Sequence, residues 1–331
     1  MTEPAPRRVR ERGEPATDGL FNVLKPPGMT SHDVVNVLRR LTGLRRVGHA
    51  GTLDPGAAGV LVVCTGHATR FVRHLQEGEK RYRAEMVLGV ETDTQDASGR
   101  TTAVAEPFEI PWSEVDAALA SFIGTITQKP PMTSAVHYQG RRLYELAREG
   151  VEVEDRPSRT VEIYDLRIVS VWPPDSPAAT LGARVLFDVT CSSGTYVRTL
   201  CADAGARLGC GAHLGFLVRT GVGPLRIEES VTLEELEEAR AQRRLSEYML
   251  PVDAALEHFP PVRLAGEELH RALHGTAIGW PAGVERPRDL ETGDFVRLYD
   301  ERGRFFGVAR VEGEGTSLRL HPDRLLPLEP A

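Results

Sequence analysis

Apolar positions fall along the chain in two rhythms, and their alternation sketches the architecture. Residues 20–24 (Leu-Phe-Asn-Val-Leu) form a run short enough for a buried strand, broken by Lys25-Pro26-Pro27-Gly28. Val34, Val35, Leu38 and Leu41 then lie on one face of a helix, with Thr30 or Ser31 placed to cap its start and Gly43 to end it. A second apolar run, residues 60–64, reads as another buried strand, and residues 69–75 as a helix. Between Arg81 and Val90 the period changes. Tyr82, Ala84, Met86 and Leu88 alternate with Arg81, Arg83 and Glu85, the mark of a half-buried strand. Residues 92–99 read as a turn-rich loop, and Ser113 opens a helix carrying Val115, Leu119 and Phe122 that stops at Gly124. Residues 161–172 and 183–191 suggest an antiparallel pair joined through Pro173, Pro174 and Pro177. Leu200, Ala204 and Leu208 mark a helix ended by Gly209, and Thr232 with Glu235 makes a capping box for another.

Past Pro251, Pro260 and Pro261 the elements shorten. A helical stretch over 264–275 is followed by strands at 295–299, 305–311 and 317–320, separated by glycines and charges. The pattern predicts an α+β protein with a mixed-element domain over 19–255 and a small β-barrel-like domain over 261–328. One stretch fits neither rhythm. Residues 129–144 mix prolines, two tyrosines and basic side chains, so they form either a mobile connector or a segment that folds over a bound partner.

Composition narrows the class. At 331 residues, 41% hydrophobic and 26% charged, the chain is an ordinary globular protein of about two domains. No run approaches the roughly 18 apolar residues of a membrane span, so no membrane partner is expected. Residues 1–18 are charged and proline-containing with no apolar centre, which fits a disordered tail rather than a signal peptide. Cys64, Cys191, Cys201 and Cys210 show no C-x-x-C spacing, so buried reduced thiols, a cytoplasmic location and no metal are expected. The net charge of −7 argues mildly against a nucleic-acid partner, but acid and base are unevenly placed. Glu228, Glu229, Glu234, Glu235, Glu237 and Glu238 crowd one stretch, whereas Arg39, Arg40, Arg45 and Arg46 stand together without an acid between them. Such a basic face could hold phosphates.

That basic approach leads into residues 48–61, where Asp54 precedes Pro55 among Gly48, Gly51, Gly56 and Gly59. The proline pushes Asp54 out of the helical region, and the glycines leave room for another molecule to come close. No G-x-x-x-x-G-K-[ST], G-x-G-x-x-G or G-x-S-x-G motif offers a rival site. A carboxylate that acts as nucleophile or base must be ionised although burial opposes it. Arg198 is the best candidate for the cation that keeps it so, while Tyr82 or Tyr196 could stack on a planar base.

Five segments, in order, resemble the TruB family of tRNA pseudouridine synthases. They are Lys25-Pro26-Pro27-Gly28-Met29-Thr30-Ser31, Gly48 to Pro55, Lys80-Arg81-Tyr82, Gly194-Thr195-Tyr196-Val197-Arg198-Thr199 and Gly209-Cys210-Gly211-Ala212-His213-Leu214. The resemblance runs from about Gly19 to Pro251, and the region after Pro260 looks, more loosely, like a PUA domain. It implies a mixed-sheet pseudouridine synthase fold that isomerises uridine 55 in the T arm of tRNA as a monomer without cofactor. By position Asp54 then matches the catalytic aspartate, Tyr82 the tyrosine on the flipped base, and Arg198 the arginine paired with the acid. Tyr196 and Leu217 match residues of the same pocket, and His49 the histidine that fills the gap left in the loop. Lys25, Arg45 and Arg46 join them as expected substrate-binding residues, and residues 129–150 match an RNA-clasping insertion. Ala50, Gly56 and Ala58 depart from the family's usual residues.

Overall fold

The computed structural model describes residues 18–134, 136–281, 283–287, 289–313 and 317–327. The tail expected over 1–18 lies outside them except for Asp18. Its carboxylate accepts from the backbone N–H of His67 and meets the ring Nδ1 at 2.8 Å.

Among the described residues the main sheet has nine strands, two of them short side strands (Val47–His49 and Leu225–Arg226). Its main path is carried by β1 (Gly19–Lys25), β2 (Ala58–Thr65), β3 (Lys80–Leu88), β4 (Gly124–Gln128), β5 (Arg159–Trp172), β6 (Arg184–Cys191) and β7 (Ala212–Val222). Their order is β1-β2-β7-β3-β6-β5-β4. Neighbours are antiparallel except β2 and β7, which run parallel where Ala58 and Gly59 meet Val218 and Arg219. The sheet is therefore mixed. Helix α1 (Ser31–Thr42) forms as its sequence predicts: Thr30 and Asp33 close a capping box, and Gly43 ends the helix with φ of 72°. Its Val34, Val35 and Leu38 pack on Phe21, Val23, Leu61 and Val63. Helix α2 (Val72–Glu77) follows β2 through a 3-10 turn.

The largest core lies on one face of β3, β6 and β7. Helices α3 (Trp112–Ala120) and α5 (Val197–Leu208) cover it, burying Ala84, Met86, Leu88, Val185 and Phe187 against Val115, Leu119, Leu200 and Ala204. Each large apolar side chain taken fully from water contributes about 1.5–3 kcal/mol. Rows of them make the sheet a rigid bed for loops at its edge.

Between β4 and β5 the insertion is structured rather than a bare connector. A two-stranded hairpin (His137–Tyr138 with Arg141–Arg142) leads into α4 (Leu143–Arg148). Val136, Leu143, Leu146 and Val153 form its own small core, with Tyr196 packed against it. After β7 comes α6 (Leu233–Ala241), capped by Thr232 and Glu235, with its glutamates exposed as the sequence suggested.

The C-terminal unit is a curled half-barrel. Its five strands run in the order Pro261–Arg263, Phe295–Tyr299, Phe305–Glu312, Arg319–Leu325, Ile278–Gly279, with helix α7 (Gly266–Leu273) alongside. Two of these strands are too short to show a period in sequence. The strand Arg319–Leu325 extends past the expected 317–320, carrying Pro322 opposite Ala309 at a register shift. Phe71, Leu75 and Phe259 meet Phe295, Phe305 and Val308 in one apolar cluster, and His74 Nε2 reaches Asp323 Oδ2 at 2.8 Å.

Candidate active site

The loop between the short strand Val47–His49 and β2 carries Asp54, and nearly every carbonyl around it is tied down. Ser31, the first residue of α1, both accepts from the Leu53 N–H (2.9 Å) and donates to the Leu53 carbonyl (3.1 Å). The Gly28 N–H donates to the Pro55 carbonyl at 2.8 Å. From beneath, the fully buried Lys25 ammonium donates to the carbonyls of Pro26 (2.9 Å), Pro55 (3.3 Å) and Ala57 (2.7 Å). Burial pulls the Lys25 ammonium down to about 8, against the attraction of Asp54. Gly59 has φ of +111°, and a Cβ there would lie 2.2 Å from the Arg219 carbonyl oxygen. That glycine exists so that the loop's own strand can lie against β7. The sequence had suggested room for a partner molecule. Gly56, by contrast, is exposed with open space beside it.

Arg198 comes to Asp54 from the first turn of α5. Its Nε lies 3.0 Å from Asp54 Oδ2 and its Nη1 3.5 Å from Asp96 Oδ2. The same guanidinium donates to the Thr94 carbonyl (3.2 Å) and to the hydroxyl and carbonyl of Thr133 in the insertion. Arg198 is 5% exposed, while about two-fifths (41%) of the Asp54 side chain remains open. The acid thus sits at the mouth of a recess whose cation is deep. Burial raises the Asp54 carboxyl above its ordinary value, with Asp96 adding to the rise, while Arg198 and Lys25 pull it down. The expected acid–cation pair is present, on one loop edge.

Tyr82 lies beneath, buried on β3, in one cluster with Leu53, Ala57 and Leu217. Burial raises its phenol, opposed by the charge of Arg219, and Asp54 is close enough to raise it further. Leu217 is buried in the same cluster. His49 ends the strand before the loop, half-buried. Burial, helped by Arg219 and His32, lowers its imidazole, and a bond to the Gly51 backbone opposes this. Tyr196 is held by Gln128, whose amide donates to its carbonyl (3.2 Å) and whose oxygen accepts from its N–H (2.9 Å). Its ring packs on the insertion core, so it joins the two parts. Arg45 and Arg46 are exposed, and among the described residues neither meets a carboxylate. Lys25 is placed differently from a phosphate-binding surface lysine: its charge is spent inside the protein.

Sequence reasoning missed Ser31, Asp96, Gln128, Thr133 and Arg219 as parts of this site. Asp96 lay in what reads as a plain turn, and only its contact with Arg198 gives it meaning.

The chain as a whole is similar to known proteins. The pattern described as TruB family pseudouridylate synthase (N terminal domain) matches residues 39–197. Patterns for the tRNA pseudouridylate synthase B C-terminal domain and for the pseudouridine synthase II TruB C-terminal region match 198–257 and 260–326. A tRNA pseudouridine synthase B from Moorella thermoacetica is 50% identical over 93% of this chain and 99% of its own. The chain belongs to the TruB family of pseudouridylate synthases. A second member, tRNA pseudouridine synthase B of Burkholderia mallei, is 45% identical over 98% of this chain and 97% of its own. Among solved structures, one of a Cbf5-Nop10-Gar1 complex matches with a TM-score of 0.69 at 26% identity, covering 93% of this chain and 84% of that one. The TruB chain described here is thus an enzyme with a synthase domain and a PUA-like half-barrel.

Proposed function

We propose that this TruB protein converts uridine 55 in the T arm of tRNA to pseudouridine, acting as a monomer with Asp54 as nucleophile. The observation that carries the reading is the Asp54 carboxylate 3.0 Å from the Arg198 guanidinium, on a loop pinned through its own carbonyls. A uridine inside a folded loop hides its glycosidic bond, so the nucleotide flips out, at a cost of a few kcal/mol. Ionised Asp54 attacks the flipped nucleotide, and the N1–C1′ bond breaks. The uracil turns against the Leu217 wall, and C5 bonds to C1′ as the bond to Asp54 breaks and returns the free carboxylate. The C5 proton passes to a water that the Tyr82 hydroxyl orients, while N1 gains one, so atoms and charge balance with no net oxidation. The bound RNA closes over the site and keeps the detached base from escaping. Arg198 offsets the cost of holding Asp54 ionised and stabilises charge that develops during cleavage.

Around the site, exposed Arg45 and Arg46 hold phosphates, neutral His49 fills the stack the nucleotide leaves, and the insertion clasps the RNA beside Tyr196. A single chain carries all these groups, which favours action without a guide RNA or partner subunits. The test is purified protein alone with an unmodified tRNA transcript, pseudouridine then being mapped nucleotide by nucleotide. Conversion of uridine 55 only is expected, and an isolated T-arm stem-loop should also react. Conversion elsewhere, or none until a guide RNA or partner proteins are added, would overturn the reading.

A further inference from the structure

Arg219 is among the largest fully enclosed side chains of the protein, 1% exposed, and among the described residues no carboxylate lies within ion-pairing distance of it. An arginine buried in this way is costly, and apolar packing in its place would be cheaper. Its donors explain its presence. Nε donates to the Val60 carbonyl at 2.7 Å, Nη2 to Gly51 at 3.1 Å and Nη1 to Thr52 at 3.4 Å. Gly51 and Thr52 precede Asp54, and Val60 follows it, so one planar fork spans both arms of the loop. Arg219 pairs with Tyr82 across β7 and β3, so the two side chains are neighbours, and the guanidinium charge pulls the phenol down against burial. On its other side Arg219 pairs with Gly59, where the backbones touch.

We propose that Arg219 is a positioning residue for the isomerisation: it joins both arms of the loop that carries Asp54 to β7, beside Tyr82 on the neighbouring strand, as one rigid unit. It touches no substrate. The rigid fork sets the distance between the acid and the tyrosine, and its charge favours the phenolate form of Tyr82. A lysine at this position keeps the charge but, as a single head on a flexible stem, cannot bridge both arms. Lys25 does part of the same work from the opposite side, on Pro55 and Ala57, yet does not reach Gly51, Thr52 or Tyr82.

The inference rests on the pseudouridine synthase reading, and the experiment separates the two. Single-turnover release of tritium from uridine C5 of a T-arm stem-loop is measured for wild type, Arg219→Lys and Leu236→Ala, together with RNA affinity. Leu236 is fully buried on α6, so its alanine variant is weakened away from the loop and serves as a stability control. Arg219→Lys should be slowed about 100-fold with RNA affinity changed less than threefold, while Leu236→Ala, compared well below both melting temperatures, stays within threefold of wild type. The alkaline side of the pH–rate profile should also move in Arg219→Lys. An active wild type with an equally active Arg219→Lys would overturn the positioning role alone. So would a slowing that Leu236→Ala shares, or one that follows lost RNA affinity. A wild type without turnover would instead overturn the underlying reading.

Discussion

The Asp54 loop and the junction with the half-barrel are held by opposite chemistry. At the junction, Phe71, Leu75, Phe259, Phe295 and Phe305 interlock, with His74 and Asp323 as one polar pair among rings. At the loop, Lys25, Arg198 and Arg219 are enclosed cations that grip carbonyls and two acids. Apolar contact is non-directional and tolerates small shifts, so it suits a joint whose task is to stay together. Charged hydrogen bonds are short and directional, and fix atoms to within fractions of an ångström. A change at the junction should therefore cost stability, whereas a change at the loop should cost rate.

The sharpest way to break that contrast is at the acid itself. Asp54→Asn should lower the single-turnover rate by roughly 10,000-fold or more, the scale expected for loss of a nucleophile, while binding tRNA nearly as well as wild type. An Asn variant that isomerised at a similar rate would remove Asp54 from the chemistry. Next is Arg198→Met, expected to slow the reaction by about 100-fold or more. The guanidinium pulls the Asp54 carboxyl down against burial, so its loss lets the carboxyl rise. The pH below which the rate falls should then move upward, and an acid limb that stays in place would mean that Arg198 does not tune Asp54.

On the other side of the comparison, Phe71→Ala should cost about 3–5 kcal/mol of stability, read as a lower melting temperature. Its single-turnover rate at 20 °C, well below melting, should remain within about threefold of wild type. A large loss of rate in a folded Phe71→Ala protein would show that the junction also shapes the site. Removing the half-barrel altogether is a poorer test, because it would expose the faces of Phe71, Leu75 and Phe259. The smallest effect belongs to the surface. Replacing Arg45 and Arg46 with alanine should weaken tRNA binding and flatten its salt dependence by up to about two units in log–log slope. An unchanged slope would mean that these side chains face away from the RNA.

The contrast also explains what could be read from the chain in advance. Most strands and helices of the synthase domain follow periods of apolar burial, though β4 and the central β7 show none that marked them as strands, and Thr30, Gly43, Thr232 and Gly209 cap their helices as those residue types should. Asp54 announced itself through proline and glycine, and Arg198 through its place in a helix's first turn. The means of fixing the loop gave no such sign. Lys25 in a Lys-Pro-Pro turn reads as a surface cation, and Arg219 on a strand as a solvated charge. Their carbonyl partners come from segments up to 168 positions away in sequence. Asp96 and Thr133 were hidden for the same reason, since a turn aspartate and a loop threonine acquire a role only when Arg198 arrives between them. The short strands of the half-barrel were missed because two or three residues cannot show a period.

The account turns on the charge state of one carboxyl group, which can be observed directly. Carboxyl-carbon NMR of protein labelled at aspartate, with the Asp54 signal assigned by its absence in Asp54→Asn, would follow that group through a pH titration. The account predicts a carboxyl that titrates above the ordinary aspartate value, is ionised at neutral pH, and moves upward in Arg198→Met. An Asp54 still protonated at neutral pH, or one indifferent to the loss of Arg198, would contradict it.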